Sequence, residues 1–125
     1  TEADPNNAVA KNAYAYSLAL RKENISKAQQ LINEALSGNE DKSEFHHTHG
    51  LVLFRLGQYD GSAEAYRKAM ELGGDDDGAL LEHYADVLYF QGKTDEALRF
   101  WLMSRELGGA GKMIDKKITD KKYYE

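Results

Sequence analysis

The side chains best suited to chemistry in this sequence are its histidines. His46, His47 and His49 fall within about one helical turn, and His46 and His49 are three apart, a spacing that can chelate a divalent cation. The His-Glu-x-x-His pattern of zinc hydrolases is absent, however, and no carboxylate is fixed nearby in sequence to complete a site. His46 and His49 also occupy positions where a helix places bulky packing residues, so they read as packed imidazoles before they read as ligands. Gly92-Lys93-Thr94 imitates the end of a phosphate-binding loop, but Val87 stands where such a loop needs glycine. Gly108-Gly109-Ala110-Gly111-Lys112 fails the same test at Glu106. Asp75-Asp76-Asp77-Gly78 resembles a fragment of a calcium loop without its closing glutamate and reads as a cap for the next helix. Asn24-Ile25-Ser26 is formally a glycosylation sequon, placed at a helix start. With no cysteine, thiolate metal and redox sites are excluded, and no nucleophilic triad, carboxylate pair or cofactor fingerprint is legible. The expectation is a non-enzymatic chain with no catalytic residues, no metal and no cofactor.

Composition then says what must position these residues. The chain has 125 residues, 42% hydrophobic and 30% charged, enough for one domain spanning 1–125. Fifteen Ala and fourteen Leu against three Val, four Ile and four Thr favour helices throughout. The net charge of −5 works against nucleic-acid binding, which depends on attraction to phosphates. The last sixteen residues depart from this balance, with Lys112, Lys116, Lys117, Lys121 and Lys122 against Asp115, Asp120 and Glu125. No apolar run approaches the ~20 residues of a membrane span, so direct membrane insertion is not expected. The chain begins at Thr1 and not at Met, which reads as a processed form or a piece of a longer protein.

Shifted by 35, the sequence superposes Val52, Leu53, Gly57, Asp60, Glu71, Leu72, Gly73 and Gly74 on Val87, Leu88, Gly92, Asp95, Glu106, Leu107, Gly108 and Gly109. Ala15, Gly50 and Ala85 keep the same interval, and Ala28, Ser62 and Ala97 nearly so, which makes three copies of one unit. Each copy reads as two helices joined by a tight turn. Helices are expected over 6–22, 25–38, 43–56, 59–72, 77–91 and 94–107, followed by a short amphipathic one over 110–120. Repeats span about 8–42, 43–77 and 78–111, with a capping helix and tail over 110–125. In the first copy Glu23 and Asn24 take the place of the turn glycine.

The pattern His46-x2-His49-Gly50-x2-Leu53 with Ser62-x3-Tyr66, and Leu81-x2-Tyr84-Ala85-x2-Leu88 with Ala97-x3-Trp101, resembles the tetratricopeptide repeat. The first copy supplies Tyr14-Ala15-x2-Leu18 and Ala28-x3-Ile32. Small residues at Ala15, Gly50, Ala85, Ala28, Ser62 and Ala97 let helix backbones approach, and bulky neighbours fill the remaining space. Two departures are the missing proline after each second helix, where Glu40, Gly74 and Gly109 stand, and the missing Trp in the first helices. The resemblance implies an all-α, right-handed α-solenoid of three helical hairpins plus a C-terminal capping helix. The tail Lys121-Lys122-Tyr123-Tyr124-Glu125 resembles the ends of bacterial cell-envelope tetratricopeptide lipoproteins. That likeness implies further repeats before Thr1 and a periplasmic or envelope location, the cytoplasm being the alternative.

Proteins of this family hold an extended peptide or a partner's helix against the first helices of their hairpins. The inward positions are then Asn12, Tyr16, His47, Thr48, Leu51, Arg55, Glu82, His83, Asp86 and Tyr89. The family's clamp for C-terminal carboxylates uses Lys, Arg and Asn, whereas the matching positions here hold Asn12, Tyr16, Thr48, Ala79 and His83. Without a cation there, chaperone-type acidic tails are not expected to bind. The expected function is a protein-interaction module for a protein or peptide partner. The alternatives are a structural spacer or self-association unit, and an enzyme or metal-dependent domain resting on the histidine cluster.

Overall fold

The computed structural model describes residues 5–125, which contain helices and turns and no strand. The helices are α1 (Pro5–Arg21), α2 (Ile25–Leu36), α3 (Ser43–Arg55), α4 (Tyr59–Glu71), α5 (Gly78–Phe90), α6 (Thr94–Leu107) and α7 (Ile114–Asp120), with one 3-10 turn at Gly74–Asp76. The first six lie where the 35-residue period places them, in the hairpin architecture of the tetratricopeptide repeat, with α2 ending two residues early; α7 follows the repeats and starts at Ile114, four residues later than expected. Two compact units result, one ending at Leu72 and one running Gly73–Glu125.

Local signals set the helix ends. Asn24 accepts the Lys27 amide on its side chain at 3.4 Å and so caps α2. Asp77 Oδ1 accepts from the amides of Ala79 (3.0 Å) and Leu80 (3.3 Å), so the acidic run before α5 ends in a cap. The first helix of each hairpin closes with a six-to-one bond: Glu23 to Leu18, Gln58 to Leu53 and Lys93 to Leu88, each 2.9 Å between amide nitrogen and carbonyl oxygen. That closure requires a left-handed residue, which is Gly57 or Gly92 in the second and third copies. In the first copy it is Lys22, at φ 56°, and not the expected Glu23-Asn24 pair. The extra residue then puts Asn24 in the left-handed region as well, at φ 44°.

Inside each hairpin the small residues do what their size permits. Ala15, Ala28, Ser62, Ala85 and Ala97 are fully buried. A methyl added at Gly50 would lie 2.7 Å from the Tyr66 ring, and Ser62 Oγ donates to the Gly50 carbonyl at 2.7 Å. Farther along, two hairpins are stitched at the same level in opposite senses. Ser43 Oγ donates to the Ala69 carbonyl (2.8 Å), and Ser104 Oγ to the Gly78 carbonyl (2.5 Å).

In the first unit α3 packs on both α1 and α2, and its core gathers Leu18, Leu31, Ile32, Phe45, Leu51 and Val52. In the second unit Leu80, Leu81, Val87, Leu88 and Trp101 are buried, and α7 packs on α6. Burial of such side chains stabilises by about 1.5–3 kcal/mol each. It also fixes the turn of every helix about its axis, and with it the direction of the polar side chains.

Candidate functional site

Of the residues expected to face a partner in the first unit, Asn12, Tyr16 and Arg55 are half-buried, while His47, Thr48 and Leu51 are buried. The expectation of an exposed face is corrected for these last three. Leu51 belongs to the core cluster. The Thr48 hydroxyl bonds back to the Glu44 carbonyl at 3.1 Å, the usual local partner of a threonine inside a helix. His47 lies edge-on to Tyr16, with ring centroids 5.3 Å apart, and 5.7 Å from the Tyr66 ring. Arg55 donates from Nε to the Ala19 carbonyl at 2.8 Å, setting its positive charge against the negative end of α1. Asn12 keeps a buried side-chain oxygen with no hydrogen-bond partner.

In the second unit His83 and Tyr89 are half-buried, but Glu82 and Asp86 are each 5% exposed. They too are corrected: they do not line an open face. Lys117, from α7, reaches between them, its Nζ 2.9 Å from Glu82 Oε2 and 2.9 and 3.1 Å from the two oxygens of Asp86. Trp101 Nε1 donates to Asp86 Oδ1 at 3.0 Å, and the Gly111 amide to Glu82 Oε1 at 2.8 Å. The Tyr123 ring stands 5.2 Å from the ammonium. Burial pushes the Asp86 carboxyl up to about 7, against the pull of Lys117 and the Trp101 bond and helped by the charge of Glu82.

One cause explains both corrections. Asn12 and Tyr16 stand two repeat periods before Glu82 and Asp86, on the same stripe of the first helix. In α1 that stripe meets α3, through Tyr16 and His47. In α5 it meets α7, through Lys117. The stripe is therefore partly taken up in helix packing, at His47, Glu82 and Asp86, which polarity alone marked as surface, while Asn12 and Tyr16 stay half-buried. The sequence places Lys117 on the amphipathic capping helix with Met113, Ile114 and Ile118 without assigning it a partner, although a lysine on an apolar stripe, three residues after Ile114, signals one. The indole N–H of a buried Trp101 likewise demands an acceptor.

The remaining motifs resolve into structure. Gly92 and Gly108 both sit in turns, at φ 83°. His46 Nε2 is 2.8 Å from the Glu40 carbonyl, and burial, then the charge of His46, pushes the His49 imidazole below its usual range. Among the described residues no group of three His, Cys, Asp or Glu side chains is arranged to hold a metal ion. No helix among them is long and apolar enough to cross a membrane.

No family model and no curated protein matches the sequence. Solved structures match over most of its length. The second TPR domain of human RPAP3, solved with the HSP70 peptide SGPTIEEVD, is 12% identical, covers 97% of this chain and 100% of its own, and has a TM-score of 0.77. The type III secretion translocator chaperone SycD of Yersinia enterocolitica is 16% identical over 94% of this chain and 80% of its own, with a TM-score of 0.73. SycD has also been solved with a peptide of the translocator YopD, and there the TM-score is 0.65 at 20% identity, over 87% of this chain and 85% of that one. Pseudomonas aeruginosa pilF is 20% identical over 94% of this chain and 57% of its own, with a TM-score of 0.70.

Proposed function

We propose that this chain, which has the tetratricopeptide-repeat fold, is a non-catalytic module that binds a peptide or partner domain through the first helices of its hairpins. The observation that carries the reading is the fold itself, since two of the structures it resembles were solved with peptides, one from HSP70 and one from YopD. The side chains available for the task are the half-buried ones. In the first unit they are Asn12, Tyr16 and Arg55, and in the second His83 and Tyr89. Each unit's set combines polar groups with an aromatic face, as a peptide-reading surface does. None of the positions matching the carboxylate clamp is a lysine or arginine, so the partner's recognition does not depend on a C-terminal carboxylate.

Two measurements test this. A photo-crosslinking side chain in place of Asn12 or His83 should capture one discrete partner in native cells, and one at exposed Arg67 should not. Equal labelling from all three positions, or none, contradicts the reading. The peptide SGPTIEEVD should give no micromolar binding in titration calorimetry, and a clear isotherm would refute the clamp argument.

A second reading, a spacer or self-associating unit, is favoured by one feature of α1. Val9, Tyr14 and Leu20 are 56%, 50% and 45% exposed on a helix whose only charged residues are Lys11 and Arg21. Concentration-dependent mass in light scattering would support it, and a strict monomer would count against it.

A further inference from the structure

We propose that α7 is a displaceable plug, and that the acidic socket it fills on the α5–α6 hairpin accepts the lysine of a partner's amphipathic helix in its place. This goes beyond partner capture by the first-helix surfaces and does not require it.

The socket is a built site with an ammonium seated in it. Glu82 and Asp86 supply two buried carboxylates and Trp101 orients one of them. Among the described residues Lys117 is the cation between them, with 5% of its side chain exposed. With Asp86 ionised, as at pH 8, two carboxylates and one ammonium leave an excess of negative charge, so a helix that enters must bring a cation to the same point. The shape of the occupant is also on the page. The buried residues of α7 are Ile114 and Lys117, so an apolar residue three positions before a lysine is the main feature the socket reads from a helix, with the Gly111 amide just before it on Glu82 Oε1.

The hold on α7 is local. The helix has seven residues, and the segment leading to it contains Gly108 and Gly109 at φ 83° and 86°. Its ion pair with the hairpin at the surface, Arg105 to Asp115 at 3.6 Å, is exposed and contributes little. The Phe90–Tyr123 ring contact, at 5.0 Å between centroids, lies beyond the helix. A segment tied at so few points opens on its own more readily than the hairpin beneath it. When it opens, the tethered lysine competes with outside helices at an effective concentration of the order of millimolar. The partner is therefore a protein that presents a lysine-bearing helix strongly enough to win that competition.

The probe is a fluorescent peptide of residues 110–125, alongside the same peptide with Met at the Lys117 position. Both are titrated into the whole chain and into its Lys117→Met variant. The variant chain should bind the lysine peptide at least tenfold more tightly than the wild type does, and at least tenfold more tightly than it binds the methionine peptide. Equal binding of the two peptides, or no binding to a folded variant, overturns the proposal. A variant that fails to fold leaves the wild type to decide by amide hydrogen exchange. Excess lysine peptide should accelerate exchange across 114–120 severalfold while α5 and α6 stay unchanged, and the methionine peptide should not. No acceleration by the lysine peptide, or equal acceleration by both, overturns it.

Discussion

The same stripe of the first helix is closed in two chemically different ways in the two units. In the first, His47 stands between the rings of Tyr16 and Tyr66. In the second, Glu82 and Asp86 meet Lys117 and Trp101 in a buried ionic cluster. The repeat period sets the position of the contact, and the residue type at that position sets its strength and its dependence on pH. Ring contacts contribute about 0.5–1.5 kcal/mol beyond their area and do not need an exact partner. A buried carboxylate pair demands one, because each charge left unmatched is costly.

The largest way to break this comparison is Lys117→Ala. It leaves two buried carboxylates facing an apolar residue, and a loss of about 3–5 kcal/mol is expected in chemical unfolding near pH 8. The loss should shrink at pH 5, where Asp86 carries a proton. No comparable pH effect should follow from Tyr16→Phe.

Next comes pH itself. The folded-state pKa of Asp86 is raised, from an ordinary value of 3.8 to about 7, so folding takes up a proton. Its contribution is fully present below the unfolded pKa and is lost as pH rises toward about 7, a change of order a few kcal/mol. The Asp86→Asn variant should lack this slope, which a series of urea titrations between pH 4.5 and 8 would resolve.

Smaller effects separate the hairpins. Gly50 and Ala85 are equivalent, yet only Gly50 lies under a ring that leaves no space for a methyl. Gly50→Ala should cost about 1–3 kcal/mol through overpacking, read as a lowered melting temperature. The smallest expected change is a gain: Lys22→Gly relieves a left-handed lysine where the other hairpins use glycine. About 0.5–1 kcal/mol of added stability should appear in the same measurement.

The sequence carried most of the fold, because three copies of one pattern report the same helices three times. The turn glycines, the Asp77 cap and the small residues at the hairpin contacts were each legible from type and spacing. The end of α2 at Leu36 and the start of α7 at Ile114 were not, since Gly38 and the Gly108-Gly109 pair, all at positive φ, stop helices earlier or start them later than apolar periodicity indicates. The site was read less well for a physical reason. Polarity marks a residue as exposed only when no partner is available, and the partner of Glu82 and Asp86 lies about 31–35 residues away, on a helix outside the repeat. His47 was misplaced in the same way, since an imidazole serves equally as a surface donor and as a packed ring.

The contrast between the two units rests on the buried state of Asp86, and its side-chain carboxyl carbon followed by NMR across pH 4–9 tests it most directly. A midpoint near 7, moving higher in the Lys117→Met chain, is the expected result. A midpoint in the ordinary carboxylate range, unchanged by that substitution, would show that Asp86 is solvated and that no buried ionic contact holds α7.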